Sequence, residues 1–281
     1  MRSFRQVDVF SAEPLLGNPV AVVHDADGLD DEEMAAFARW TNLSETTFLL
    51  TPTDPGADYR LRIWTPTGEL PFAGHPTLGS AHAWLEAGGV AAGDPADEGV
   101  VQECGAGLVR VRRGEGGRLA FAAPPLVRSG PVDDADLTRI CRALRIDRGD
   151  VVDAAWVDNG PGWVAVLLRD AAAVLAVRPD DAAFDGLDIG VVGLWEPGES
   201  DADVEVRAFV PEMGIGEDPV TGSLNAGVAQ WLAGSRLPSS YVAAQGTAMR
   251  RRGRVHVTTA DDGTIWVGGD TRTTISGTLD L

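Results

Sequence analysis

The chain has 281 residues, 44% hydrophobic and 23% charged, which describes a soluble globular protein long enough for two domains. Its net charge of −19 argues against nucleic acid or an anionic membrane as partner, and no run approaches the ~18 apolar residues of a membrane span. All 23 basic residues are arginine, which excludes a lysine Schiff base, a lysine-anchored pyridoxal phosphate and a phosphate-loop lysine.

Residues 1–7 lack the apolar stretch of a signal peptide and read as a strand, so a cytoplasmic protein is expected. Val7, Val9 and the run Val20-Ala21-Val22-Val23 are strand-like, with a turn signal at Leu16-Gly17-Asn18-Pro19. Residues 30–40 carry a helical pattern (Met34, Phe37, Ala38) with acids in the first turn. Asn42-Leu43-Ser44-Glu45 leads into a β-branched and apolar strand, and residues 59–64 alternate as a half-exposed strand. A helix is predicted over residues 77–87, then an acidic Gly/Ala-rich loop over 89–99 and a hairpin ending at Ala123-Pro124-Pro125.

The proline pair sets a domain boundary: 1–125 and 126–269, with a last strand (about 270–281) that can rejoin the first domain. In the second half the pattern predicts helices near 136–144 and 170–177, a strand over 204–210 and a helix over 220–233. Many strands and few helices suggest an α+β fold, mostly antiparallel sheets wrapped around a helix, rather than a doubly wound parallel sheet.

The two halves repeat one another. His75-Pro76-Thr77-Leu78-Gly79-Ser80 and Asp218-Pro219-Val220-Thr221-Gly222-Ser223 both read acid/base residue, Pro, two spacers, Gly, Ser, and both open a small-residue helix ending in Trp-Leu. Other blocks recur in the same order, among them Arg62-Ile63-Trp64-Thr65-Pro66 and Arg207-Ala208-Phe209-Val210-Pro211. Two such helix starts suggest one anion site assembled from both halves, since an anion there meets unpaired N–H donors and a partial positive charge. The competing reading is a pair of ordinary caps, with Asp218 as an N-cap.

Glu45, between Leu43 and Phe48, would have a raised pKa in partly apolar surroundings and suit proton transfer near neutrality, or it is a solvated member of a capping box headed by Asn42 or Ser44. Cys104 and Cys141 have no C-x-x-C spacing and read as structural. His24, His75, His82 and His256 are scattered and make no metal site.

Gly17-Asn18-Pro19-Val20-Ala21-Val22, Asn42-Leu43-Ser44-Glu45-Thr46-Thr47-Phe48, Glu69-Leu70-Pro71-Phe72-Ala73-Gly74-His75-Pro76-Thr77 and Glu217-Asp218-Pro219-Val220-Thr221-Gly222-Ser223 together resemble the phenazine-biosynthesis isomerase (PhzF-like) family. The resemblance runs over nearly the whole chain and includes Gln245-Gly246. It implies the fold of diaminopimelate epimerase, with two similar halves and the site in the cleft between them. It further implies Glu45 as the proton-moving residue, His75 and Asp218 as its catalytic partners, and Asn18, Gly74, Gly222 and Ser223 as substrate-binding residues. By the same resemblance there is no cofactor and no metal, the partner is a small-molecule carboxylate, and the protein is a homodimer.

Relatives with two catalytic cysteines carry one in each twin motif. Here neither Cys lies within twenty residues of His75 or Asp218, which disfavours a two-thiol racemase. The expected activity is cofactor-independent isomerisation of a small unsaturated, amino-acid-derived carboxylate. An α-carbon epimerase without catalytic Cys and a non-catalytic carboxylate-binding protein are the alternatives.

Overall fold

The computed structural model describes residues 1–91, 99–211 and 216–281. Most of the acidic loop expected over 89–99 lies outside the described residues. The chain forms two compact units, Met1–Ala122 with Gly268–Leu281, and Ala123–Val267.

The first unit contains β1 (Arg2–Val9), β2 (Asn18–Val23), α1 (Asp31–Thr41), β3 (Glu45–Leu50), β4 (Tyr59–Thr65), β5 (Gly68–Leu70), α2 (Gly74–Glu86), β6 (Gly99–Cys104), β7 (Gly107–Arg113), β8 (Leu119–Ala122) and, from the far end of the chain, β18 (Thr271–Leu279). β18 runs antiparallel to β1, β1 to β2, β3 to β4 and β6 to β7, while β2–β3 and β4–β6 are parallel. The second unit repeats the plan with β9 (Arg128–Pro131), α3 (Asp134–Leu144), β10 (Val151–Asp158), β11 (Trp163–Leu168), α4 (Ala171–Ala176), β12 (Asp188–Leu194), β13 (Val204–Phe209), β14 (Glu217–Asp218), α5 (Gly222–Leu232), β15 (Ser240–Gln245), β16 (Gly253–Thr259) and β17 (Ile265–Gly269). Again β10–β11 and β12–β13 are antiparallel, and β11–β12 and β13–β15 parallel.

The helices are of two kinds. α1 and α3 are amphipathic surface helices: α1 buries Met34, Phe37 and Ala38, and Asp30 heads it with a capping box completed by Glu33. α3 buries Leu137, Ile140, Cys141 and Leu144 at i, i+3, i+4 and i+7 and is capped by Asp133. α2 and α5 are the central helices. α2 is buried over Gly74–Ala81 without interruption, and α5 over nearly all its length.

Their small residues let strands approach the helix backbone. A Cβ on Gly79 would sit 2.4 Å from Val20 Cγ1, and one on Gly227 2.3 Å from the Val157 carbonyl oxygen. Helices with no polar face belong inside a sheet, and the mixed α+β architecture expected from the sequence is the one observed. Cys141, on α3, packs into the core, and Cys104 is half-buried. Among the described residues, no helix is long and apolar enough to cross a membrane.

Candidate active site

In the first unit the chain brings Asn18, Glu45, Gly74 and His75 to one place. Asn18 opens β2, Glu45 opens β3, and the parallel register sets Glu45 opposite Val20. Asn18 is fully buried, and the loop before it is pinned by Asp8, whose carboxylate accepts from the Leu16 and Gly17 N–H groups at 3.0 and 3.1 Å. Gly17 has no room for a side chain, since a Cβ would lie 2.2 Å from the Val9 carbonyl oxygen.

Asn42 closes α1 in the left-handed conformation (φ 53°) as its C-cap, and Ser44 precedes strand β3 rather than a helix, so the capping-box reading of Glu45 fails. Glu45 is 7% exposed and His75 4%. His75 Nε2 lies 3.3 Å from Glu45 Oε2, and its Nδ1 lies 3.4 Å from the Asn18 amide nitrogen. Burial pushes the imidazole down to about 3, against a smaller opposing pull from the Pro19 backbone. The ring is therefore neutral at pH 7, and its contact with Glu45 is between a carboxyl and a neutral imidazole rather than an ion pair.

The second unit corrects the register of the repeat. Glu69 forms a bidentate pair with Arg62 (2.6 and 2.7 Å), and Glu217 forms the same pair with Arg207 (2.9 and 2.7 Å). Leu70 pairs with Ile63 on the neighbouring strand, and Asp218 pairs with Ala208. The central helices begin at Gly74 and Gly222, five residues after each glutamate.

The equivalent segments are thus Glu69-Leu70-Pro71-Phe72-Ala73-Gly74-His75 and Glu217-Asp218-Pro219-Val220-Thr221-Gly222-Ser223, offset by 148 (222 − 74), not 143. The Arg62 and Arg207 blocks differ by 145 (207 − 62), so the second hairpin loop holds the extra three residues. His75 is the counterpart of Ser223, and Asp218 is the counterpart of Leu70. Pro219 lies before its helix, whereas Pro76 lies in the first turn of α2.

Asp218 is not an N-cap. Thr221 holds that position of α5 and Ala73 that of α2, and neither helix is capped by a side chain. Backbone N–H groups at such ends suit an oxyanion or carboxylate. The Thr221 hydroxyl is engaged elsewhere, in a network that Gln245 orders.

Gln245 Oε1 accepts from the Thr221 N–H at 3.0 Å, and its Nε2 donates to the Asp218 carbonyl at 3.2 Å. A backbone donor on one side and a backbone acceptor on the other fix the amide orientation. Nε2 also donates to Thr221 Oγ1 at 2.9 Å, so the Thr221 proton points to Asp218 Oδ2, 2.5 Å away. Oδ2 is consequently an acceptor. Asn225 Nδ2 donates to Gln245 Oε1 and to the Thr221 carbonyl, each at 2.9 Å.

Ser223 is held by Trp163 Nε1, which donates to its Oγ at 2.9 Å, and by Asn159, whose amide donates to its carbonyl at 2.9 Å. Gln245, Thr221, Asn225 and Trp163 were not singled out as site residues in the sequence. Thr221 stood inside the Glu217–Ser223 motif and Gln245 in Gln245-Gly246, both as part of the family resemblance, while Asn225 and Trp163 carried no signal. Among the described residues, no group of three or more His, Cys, Asp or Glu is placed to hold a metal ion.

A model of the phenazine biosynthesis-like protein family matches residues 7–278. Antisense-enhancing sequence 1 of Schizosaccharomyces pombe is 37% identical over 98% of this chain and 97% of its own. Trans-2,3-dihydro-3-hydroxyanthranilate isomerase of Pseudomonas aeruginosa is 36% identical over 84% of this chain and 81% of its own. Among solved structures, a predicted epimerase from Pseudomonas aeruginosa superposes with TM-score 0.74 at 29% identity, over 99% of both chains. A hydroxyproline epimerase from Agrobacterium vitis, at TM-score 0.55 and 16% identity over 98% of this chain and 91% of that one, shares the fold alone.

Proposed function

Because the chain belongs to the phenazine biosynthesis-like family and is an isomerase, we propose that it moves a proton, and with it a double bond, within a small unsaturated carboxylate derived from an amino acid, with Glu45 as general acid and base. The observation that carries this reading is the buried Glu45 carboxyl, held 3.3 Å from a neutral His75. A general base is effective when it is fixed in place and shielded from water, and the position at the start of β3 supplies both.

A neutral imidazole can meet Glu45 in either of its protonation states. With the proton on Nε2 the ring donates to the carboxylate. With the proton on Nδ1 it offers a lone pair to the carboxylic acid. Glu45 can therefore take a proton from one carbon and deliver it to another while keeping the same neighbour.

The reading assigns His75 and Asp218 as catalytic partners of Glu45, and Asn18, Gly74, Gly222 and Ser223 to substrate binding. It needs no cofactor. The relatives that act on trans-2,3-dihydro-3-hydroxyanthranilate make a cyclohexadiene amino acid the first substrate to test.

Glu45→Gln is expected to fold normally and to lose activity by a factor of about 10²–10⁴, the usual worth of a positioned general base. A fully active Glu45→Gln enzyme would end the assignment. A second reading, epimerisation at an α-carbon, is favoured by the likeness to a predicted epimerase. Turnover in deuterated solvent separates the two: epimerisation inverts a centre and labels it, whereas isomerisation shifts the double bond.

A further inference from the structure

The loop that joins β10 to β11 holds one side chain of α5 from behind. Asp158 closes its turn by accepting from the Gly160 and Gly162 N–H groups, each at 2.7 Å. Both glycines sit at positive φ (135° and 101°), which only a residue without Cβ adopts freely. The loop delivers two donors to Ser223: Asn159 donates to its carbonyl at 2.9 Å, and Trp163 Nε1 donates to its Oγ at 2.9 Å. Trp163 is 2% exposed and Ser223 is half-buried, so the indole meets the hydroxyl on its dry side.

That contact has one polarity. An indole nitrogen only donates, whereas a hydroxyl has one proton to give and two lone pairs. Ser223 Oγ is therefore the acceptor, and its own proton is directed away from Trp163. A serine in a helix can spend that proton on a backbone carbonyl one turn earlier. Among the described residues, the Ser223 hydroxyl donates to no protein acceptor.

The first unit repeats the plan with different atoms. Asn18 opens β2 as Trp163 opens β11, and its amide nitrogen lies 3.4 Å from Nδ1 of His75, the counterpart of Ser223. In each unit, the residue at the start of that strand meets the side chain at the second position of the central helix.

We propose that Trp163 is a positioning residue that fixes the Ser223 hydroxyl as a one-way donor to an oxygen of the substrate carboxylate. This rests on the assignment of Ser223 to substrate binding. A hydroxyl held in this way favours an acceptor over a donor at the same place, and it spares the carboxylate the cost of ordering a free rotor.

NMR titration with 2-aminobenzoate, and with aniline as the same ring and amine without the carboxylate, tests the proposal. Trp163→Phe identifies the Trp163 indole signal. Ser223→Ala is expected to move that signal in the free protein, and 2-aminobenzoate, but not aniline, to move it in the wild type. Trp163→Phe should weaken 2-aminobenzoate about threefold to tenfold and leave aniline unchanged. Added to Ser223→Ala, it should weaken binding no further than about twofold, because both changes remove one interaction.

An indole signal unmoved by Ser223→Ala would overturn the proposal, as would equal binding of the two ligands by the wild type. So would a Trp163→Phe protein that binds 2-aminobenzoate unchanged, or one that loses both ligands alike, the mark of a merely structural role. If Trp163→Phe fails to fold, Trp163→Tyr identifies the signal, and Ser223→Ala with the two wild-type titrations decides. Turnover by Glu45→Gln does not enter these measurements, so a failure of the isomerase reading is seen separately.

Discussion

The Thr221 hydroxyl links the Gln245 amide to Asp218, and replacing it tests whether that link holds the start of α5 in place. Thr221→Val keeps the shape but removes a donor to a carboxylate at 2.5 Å and an acceptor for Gln245 Nε2 at 2.9 Å. A hydrogen bond to a charged group is worth about 1.5–3 kcal/mol. The Gln245 amide keeps its bond to the Asp218 carbonyl, and the N–H that donated to Thr221 is left without an acceptor, which adds about 1 kcal/mol. Thr221→Ser keeps both bonds and gives up one buried methyl, about 0.8 kcal/mol.

The valine variant should therefore be less stable than the serine variant by about 2–3 kcal/mol, or about 0.7–3 M in urea midpoint at slopes of about 1–3 kcal/mol/M. Urea unfolding combined with hydrogen exchange of the α5 amides measures the difference where it arises. Equal stability of the two variants would refute the polarity assigned to the network, in which Asp218 Oδ2 accepts from Thr221.

Three further outcomes follow from the geometry. Gly227→Ala should destabilise the second unit by about 1–3 kcal/mol in thermal or urea unfolding, because its Cβ meets the Val157 carbonyl at 2.3 Å. His75 holds its ring neutral in the fold while the unfolded chain protonates near 6.5, so stability should fall as pH drops from about 6.5 toward 3. His75→Asn should flatten that slope in pH-dependent unfolding. Glu205 has the opposite sign: the fold retains a proton that the unfolded chain releases near 4.5, so stability falls as pH rises from 4.5 to about 7. The loss relative to Glu205→Gln is about 3 kcal/mol at 1.36 kcal/mol per pH unit.

How much of this was legible beforehand depends on how local each cause is. α1 and α3 were visible because their apolar spacing and Asp caps lie within a few residues of one another. The family motifs brought Glu45, His75 and Asn18 forward, and the parallel β2–β3 register explains why residues 27 apart meet. The register of the repeat was misread because Pro-x-x-Gly-Ser occurs at two different places relative to the helix start. Only the paired strands and the two Arg–Glu clamps identify the equivalent ones. Gln245 lies 24 residues from Thr221, and no local pattern announces that one orders the other. The neutrality of His75 comes from burial, which its residue type does not report.

The antiparallel pairing of β18 with β1 orders the biogenesis of the protein. The second unit is a single continuous stretch of chain, while the first is built from segments that flank it. During synthesis every residue of the second unit is made before β18 exists, so that unit can condense while the edge of β1 that awaits β18 is still open. Glu45 and His75 both belong to the unit completed last. Nascent chains stalled before Thr271 are thus expected to expose an unpaired strand edge, a template for mispairing until the final strand is released.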